Sequence, residues 1–172
     1  MPAGLKSSSS PIQISAQVTE AVPGTFLTDQ IDLTLNVLDN EVFVVTQLNI
    51  DVDAPDSIAG LTTQVEASVS TTRRTSVGTI ADQNVLGFSN RQIICNVAMT
   101  PDGGHVFERE DPLFAALEVD YLGIIATNNA FLNVVGLNNG NIKSARCRIY
   151  GYRATASAAV YAALVQSELL SA

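Results

Sequence analysis

The chain has 172 residues, enough for one domain with a full hydrophobic core and short for two. Its net charge is −8 with only two lysines, and no stretch is a basic run, which argues against a nucleic-acid-condensing arm and against strong attraction to anionic lipid. Only 15% of residues are charged, against roughly 25% in an average domain, whereas Ser, Thr, Asn and Gln together supply 48. A surface of neutral polar groups lacks the repulsion that keeps monomers apart, and it costs less side-chain entropy to order than Lys or Glu, so this composition favours burial in subunit contacts.

Residues 1–11 read as a flexible arm closed by Pro11. Its Ser7–Ser10 run stands where a signal peptide would carry apolar residues, so a chain starting naturally at Met1 is expected to be made in a cytoplasm and not exported. Ile12, Ile14, Ala16 and Val18 then alternate with Gln13, Ser15, Gln17 and Thr19, a period-2 strand. Ile31, Leu33, Leu35 and Val37 predict a second strand, and Val42–Val52 a third. The Asp39-Asn40 pair between them reads as a tight hairpin. Leu61, Val65, Ala67 and Val69 predict a fourth strand. A loop around Thr71–Arg74 leads through weak strands to Arg91–Thr100, and Glu108–Leu117 could form a short helix opened by Asp111-Pro112.

Tyr121–Thr127, Phe131–Leu137 and Ser144–Tyr152 predict three closing strands, separated by Asn128-Asn129 and by Asn138-Asn139-Gly140-Asn141, residues that tolerate the left-handed angles of turns. From Ala156 to Leu170 the period changes to that of a helix, with Thr155 or Ser157 as its N-cap. No apolar run approaches the roughly 18 residues of a membrane span. These elements indicate an all-β antiparallel sandwich, best matched in length by an eight-stranded jelly roll, with one C-terminal helix. The expected division is an arm at 1–11, the sandwich at 12–154 and the helix at 155–172, packed on the sandwich or on a neighbour.

Candidates for chemistry are few. One histidine, His105, excludes a multi-histidine zinc site, and no nucleophile motif accompanies it, so no catalytic residue, cofactor site or enzymatic activity is expected. Asp51, Asp53 and Asp56 cluster at a strand end and are weak calcium candidates, while Glu108, Glu110 and Asp111 form a second acidic group. Cys95 and Cys147 fall on apolar phases and read as two buried free thiols. In the last strand Arg146, Arg148, Tyr150 and Tyr152 share a face, the residue types of interface hot spots, and Tyr161 and Leu164 of the helix are further contact candidates.

The arm Met1–Pro11, the alternating strands from Ile12 to Val69, the neutral polar loops and the closing strands to Tyr152 together resemble a single-jelly-roll viral coat protein. The resemblance is one of architecture and composition, without a diagnostic motif, and points to no particular virus. It implies a virion protein that self-assembles into an icosahedral or other symmetric homo-oligomer, alone or with other virion proteins. The arm departs from a common coat-protein pattern by holding one lysine, Lys6, so binding of a genome by charge is not implied. The competing readings are a carbohydrate- or ligand-binding sandwich module, a phage decoration or spike-base subunit, and a surface filament subunit.

Overall fold

The computed structural model describes residues 4–95, the backbone of 105–110, and 120–170. Ten strands form two five-stranded antiparallel sheets: β1 (Leu5–Ser7), β2 (Ile12–Thr19), β3 (Leu27–Asp32), β4 (Glu41–Val52), β5 (Thr63–Ser70), β6 (Val85–Ile94), β7 (His105–Glu110), β8 (Gly123–Ile125), β9 (Asn129–Leu137) and β10 (Ser144–Ala156). A helix, α1 (Ala158–Leu170), follows. The first sheet runs β10–β4–β8, with β2 and β1 sharing the other side of β10, and the second runs β3–β9–β5–β6–β7. Strands pair from the outside of the sequence inward: β2 with β10, β3 with β9, β4 with β8 and β5 with β6, alternately in the two sheets. That is one long hairpin rolled up, the eight-stranded jelly roll, with β1 and β7 added.

Period-2 alternation builds the core. Ile50, Val52, Val65, Ala67, Val69, Leu132, Val134, Ala145, Cys147 and Ile149 point between the sheets and join Phe43, Val45 and Ile125 in one buried cluster. A second, smaller cluster lies on the outer face of the first sheet. There Val42, Val44, Ala154 and Ala156 pack under Val160, Tyr161, Leu164 and Val165 of α1. The helix starts one residue after Ser157, whose hydroxyl accepts from the Val160 N–H at 3.4 Å, as an N-cap should. Residues of the expected arm lie along the same end: β1 pairs antiparallel with Ala154–Ala156 of β10, and the Ser8 N–H donates to the Arg153 carbonyl at 2.8 Å.

Three expectations are corrected. The Asp39-Asn40 hairpin does not form, because β3 and β4 belong to different sheets. Leu33 and Leu35 are buried in the main core, so they keep the period of a strand, but their N–H groups donate to the Asn128 carbonyl and side chain while the chain crosses over. A 3-10 turn, Val37–Asp39, completes the crossing, capped by Asn36 and by Asn40 in the left-handed region. The strand expected at Arg91–Thr100 begins earlier, at Val85, where small Gly87 and Ser89 are the buried positions; residues 96–104 are outside the described residues. Glu108–Glu110 of the expected short helix belong to β7, paired with β6, and 111–117 lie outside the described residues.

Candidate functional site

The outer face of the second sheet is partly closed. Residues 71–84 fold over it, with the Gly78 N–H donating to Ser68 Oγ at 3.0 Å and Arg74 bridging Asn84 and Asp82. Beneath lie the buried polar side chains Ser68, Ser70 and Asn133, joined by hydrogen bonds from the Asn133 amide. The outer face of the first sheet is instead divided by a bulge. Between Tyr150 and Gly151 the β10–β4 register shifts, leaving Thr46 as the extra residue, its hydroxyl on the Tyr150 carbonyl at 3.2 Å. Beyond the bulge the face is covered by α1; before it the face is open.

The open half consists of three cross-strand rungs: Gln17, Arg146 and Asp51; Ser15, Arg148 and Asn49; and Gln13, Tyr150 and Gln47. All are exposed except the half-buried Tyr150. A shallow open depression runs between the strands here, lined by Ser15, Ala16, Gln17, Asn49, Asp51, Arg146, Cys147 and Arg148. Arg146 is held by Asp53 at 2.9 Å and lies 4.0 Å from Asp51. Arg148 reaches the Tyr150 hydroxyl at 3.5 Å, and among the described residues no carboxylate pairs with it. The row read from the sequence keeps to one face and is divided by the helix that covers its far end. Arg146, Arg148 and Tyr150 stand on the open half, while Tyr152 packs in the helix-covered cluster with Tyr161 and Leu164. Tyr161 also donates to the Ala126 carbonyl at 3.4 Å.

The acidic candidates are occupied by cationic side chains. Lys143, buried, places its ammonium 2.6 Å from Asp56 and 2.9 Å from the Ala54 carbonyl. Asp56 also accepts from the N–H groups of Gly140 and Asn141. The Lys143 hydrogen bond, with the Asn141 donors, holds the Asp56 carboxyl below its ordinary value against some desolvation. At Asp53 burial acts upward, but hydrogen bonds from Arg146 and the Ser144 N–H outweigh it and the value is lowered. Asp51 faces Arg146 on the neighbouring strand at 4.0 Å and lies 3.9 Å from Arg91 of the second sheet. Among the described residues no group of three or more His, Cys, Asp or Glu is placed to hold a metal ion. Glu108 and Glu110 are on β7, and Asp111 is outside the described residues. His105 opens β7.

Both cysteines are free. Cys147 is buried, and desolvation pushes its thiol up to about 11, so it is an unreactive core thiol. Cys95 is only half-buried, at the end of β6, where it accepts from the Gly60 N–H. Sequence reasoning missed the apolar tip of the 3-10 turn, where Leu38 is 93% and Val37 52% exposed. It read these residues as the end of a strand and a turn. It also missed Glu20, buried at 2% exposure, which accepts from the backbone N–H groups of Gly136 and Lys143. No sequence signal marks either, since both depend on which loops meet at the ends of the sandwich.

No family model matches the chain, and no curated protein matches it. Among solved structures, a chain from Desmodium yellow mottle tymovirus is similar over 91% of this chain and 93% of its own length, at 13% identity and a TM-score of 0.32.

Proposed function

We propose that this chain is a virion structural protein, a capsid or coat subunit that assembles through protein–protein contacts and carries out no reaction. The observation that carries the assembly half is the open outer face of the first sheet: an area of cross-strand rungs built largely of amide and hydroxyl side chains, with Arg148 uncommitted to any described carboxylate and Tyr150 beside it. Such a face is cheap to desolvate compared with one rich in Lys and Glu, and Arg and Tyr are the types that anchor interfaces. The exposed Leu38 tip is a second contact candidate. The virion half rests on analogy of fold, a jelly roll wound from nearly the whole chain.

A calcium-dependent sugar site is the weaker reading, because Asp53 and Asp56 are already neutralised by Arg146 and Lys143. Genome binding by charge is also disfavoured: at −8 the chain repels phosphate, and the open face offers Arg148 alone as a free cation among the described residues. Multi-angle light scattering with negative-stain microscopy tests the proposal. Large or discrete symmetric particles are the expected result. A strictly monomeric species at high concentration, across salt and calcium conditions, overturns it.

A further inference from the structure

The open face ends at β2, and that strand is an unprotected sheet edge. Among the described residues β2 pairs with β10 alone, in an unbroken register from Ile12 to Thr19. The Glu20 N–H donates to the Lys143 carbonyl at 2.9 Å, which sets the phase of the ladder. Even-numbered residues of β2 exchange hydrogen bonds with β10, so the N–H and C=O groups of Gln13, Ser15, Gln17 and Thr19 project outward from the sheet. Among the described residues none of these backbone groups has a partner. Folded proteins blunt such edges with charge, proline, bulges or short strands. The other edge strands carry those devices: β3 has Asp29 and Asp32, β7 has Glu108, Arg109 and Glu110 in its sequence, β8 has three residues, and β1 carries Lys6. β2 has eight residues, Ile-Gln-Ile-Ser-Ala-Gln-Val-Thr, with no charge, no Gly and no Pro.

We propose that the β2 edge pairs antiparallel with β2 of a second copy of this chain, about a two-fold axis at Ala16, joining two first sheets into one continuous sheet. This rests on the assembly reading above and names the contact. A two-fold contact places each residue against its own strand, so any charge on the edge would face a like charge or be confined to a few registers. A neutral strand is the one that can meet itself without that penalty. Outward-pointing residues must meet outward-pointing residues, and an axis at Ala16 satisfies this over the longest stretch. It sets Gln13 opposite Thr19 and Ser15 opposite Gln17 as hydrogen-bonded pairs, with Ile14 opposite Val18 and Ala16 opposite itself between them. The three-rung face then runs unbroken across the dimer.

Cross-linking reads this register. In a Cys95→Ser background, Ser15→Cys and Gln17→Cys would stand opposite each other with Cα atoms about 5.5 Å apart, within disulfide range. Mild oxidation of the double variant is expected to convert most of the chain to covalent dimer, and of an equimolar mixture of the two single variants about half, the share of mixed pairs. Either single variant alone is expected to stay uncross-linked. In parallel, Ser15→Lys with Gln17→Lys brings four cations together across the axis and is expected to lower the native particle mass while leaving the circular dichroism spectrum unchanged. Cross-linking of Ser15→Cys to itself overturns the register. If the unaltered chain assembles but the double cysteine variant does not cross-link and the lysines leave the mass unchanged, the β2 contact is overturned and the structural-subunit reading stands. If the unaltered chain is monomeric throughout, both fall.

Discussion

Lys143 shows how one side chain decides what an acidic cluster is for. Read along the chain, Asp51, Asp53 and Asp56 have the density of a cation site, and the structure supplies the cations from β10 and the residue before it. Lys143 reaches Asp56 and the Ala54 carbonyl, while Glu20 holds the Lys143 and Gly136 backbone, so three chain connections at one end of the sandwich are tied together. Lys143→Met keeps the buried stem but removes the ammonium that the part-exposed Asp56 and the Ala54 carbonyl share, and is expected to cost about 1–3 kcal/mol, the penalty for taking a donor from charged and part-buried acceptors. Urea unfolding checks it. Combining Lys143→Met with Asp56→Asn should recover part of that loss, because removing both charges is cheaper than removing one. The pH dependence has a defined sign. The folded value of Asp56 is depressed, so its contribution is present above the ordinary value of 3.8 and is lost as pH falls through the folded value. In Lys143→Met that acid loss should be shallower. The sequence placed these aspartates at a strand end correctly, but which cation meets them depends on β4 and the β9–β10 connection lying side by side, a contact nearly ninety residues apart.

At the scale of elements, the bulge of β4 opposite Tyr150 and Gly151 and the docking of α1 belong together. Gly151 sits where an added Cβ would lie 2.2 Å from the Val44 carbonyl and 2.7 Å from the Phe43 ring. Gly151→Ala therefore pushes β10 away from β4, and is expected to cost about 3 kcal/mol or prevent folding, the upper end of overpacking; thermal melts or soluble yield check it. Beyond the bulge, Glu168, the only charged residue of α1, accepts from the N–H groups of Ala126 and Thr127 at 2.9 and 3.1 Å. Burial raises its pKa, and those hydrogen bonds only partly oppose the rise. A raised carboxyl favours the protonated folded state, so its contribution is complete below the ordinary 4.5 and is lost as pH rises through the folded value. The stability of the unaltered chain relative to Glu168→Gln should accordingly decline from pH 4.5 to pH 7.5, measured by paired melts. The helix itself was legible from its change of period. The reason Glu168 stands in it was not, since the N–H groups it caps belong to the β8–β9 connection.

For the whole molecule, the alternation of apolar and polar residues was enough to read an antiparallel sandwich with a terminal helix, because period 2 and period 3.6 follow from backbone geometry alone. It also located the cores of β2, β4, β5, β9 and β10, where one phase is buried between the sheets. Composition set the tone of the surface, low in charge and rich in amides, which no fold can alter. What only the tertiary structure decided is adjacency. Alternation at Ile31, Leu33 and Leu35 has the same pattern whether the chain extends a strand or crosses between sheets, because both bury every second residue. The Arg–Tyr row keeps one phase in the fold as in the sequence, yet α1 lies over Tyr152 and leaves Arg146 and Arg148 outside, a coverage the strand's own residues do not encode. Whether a neutral strand is interior or an edge is likewise invisible to its own residues. β2 is an edge because the roll closes with β10 beside it and β3 in the opposite sheet, and hydrogen-bond partners are set by that closure, over separations that no local pattern encodes.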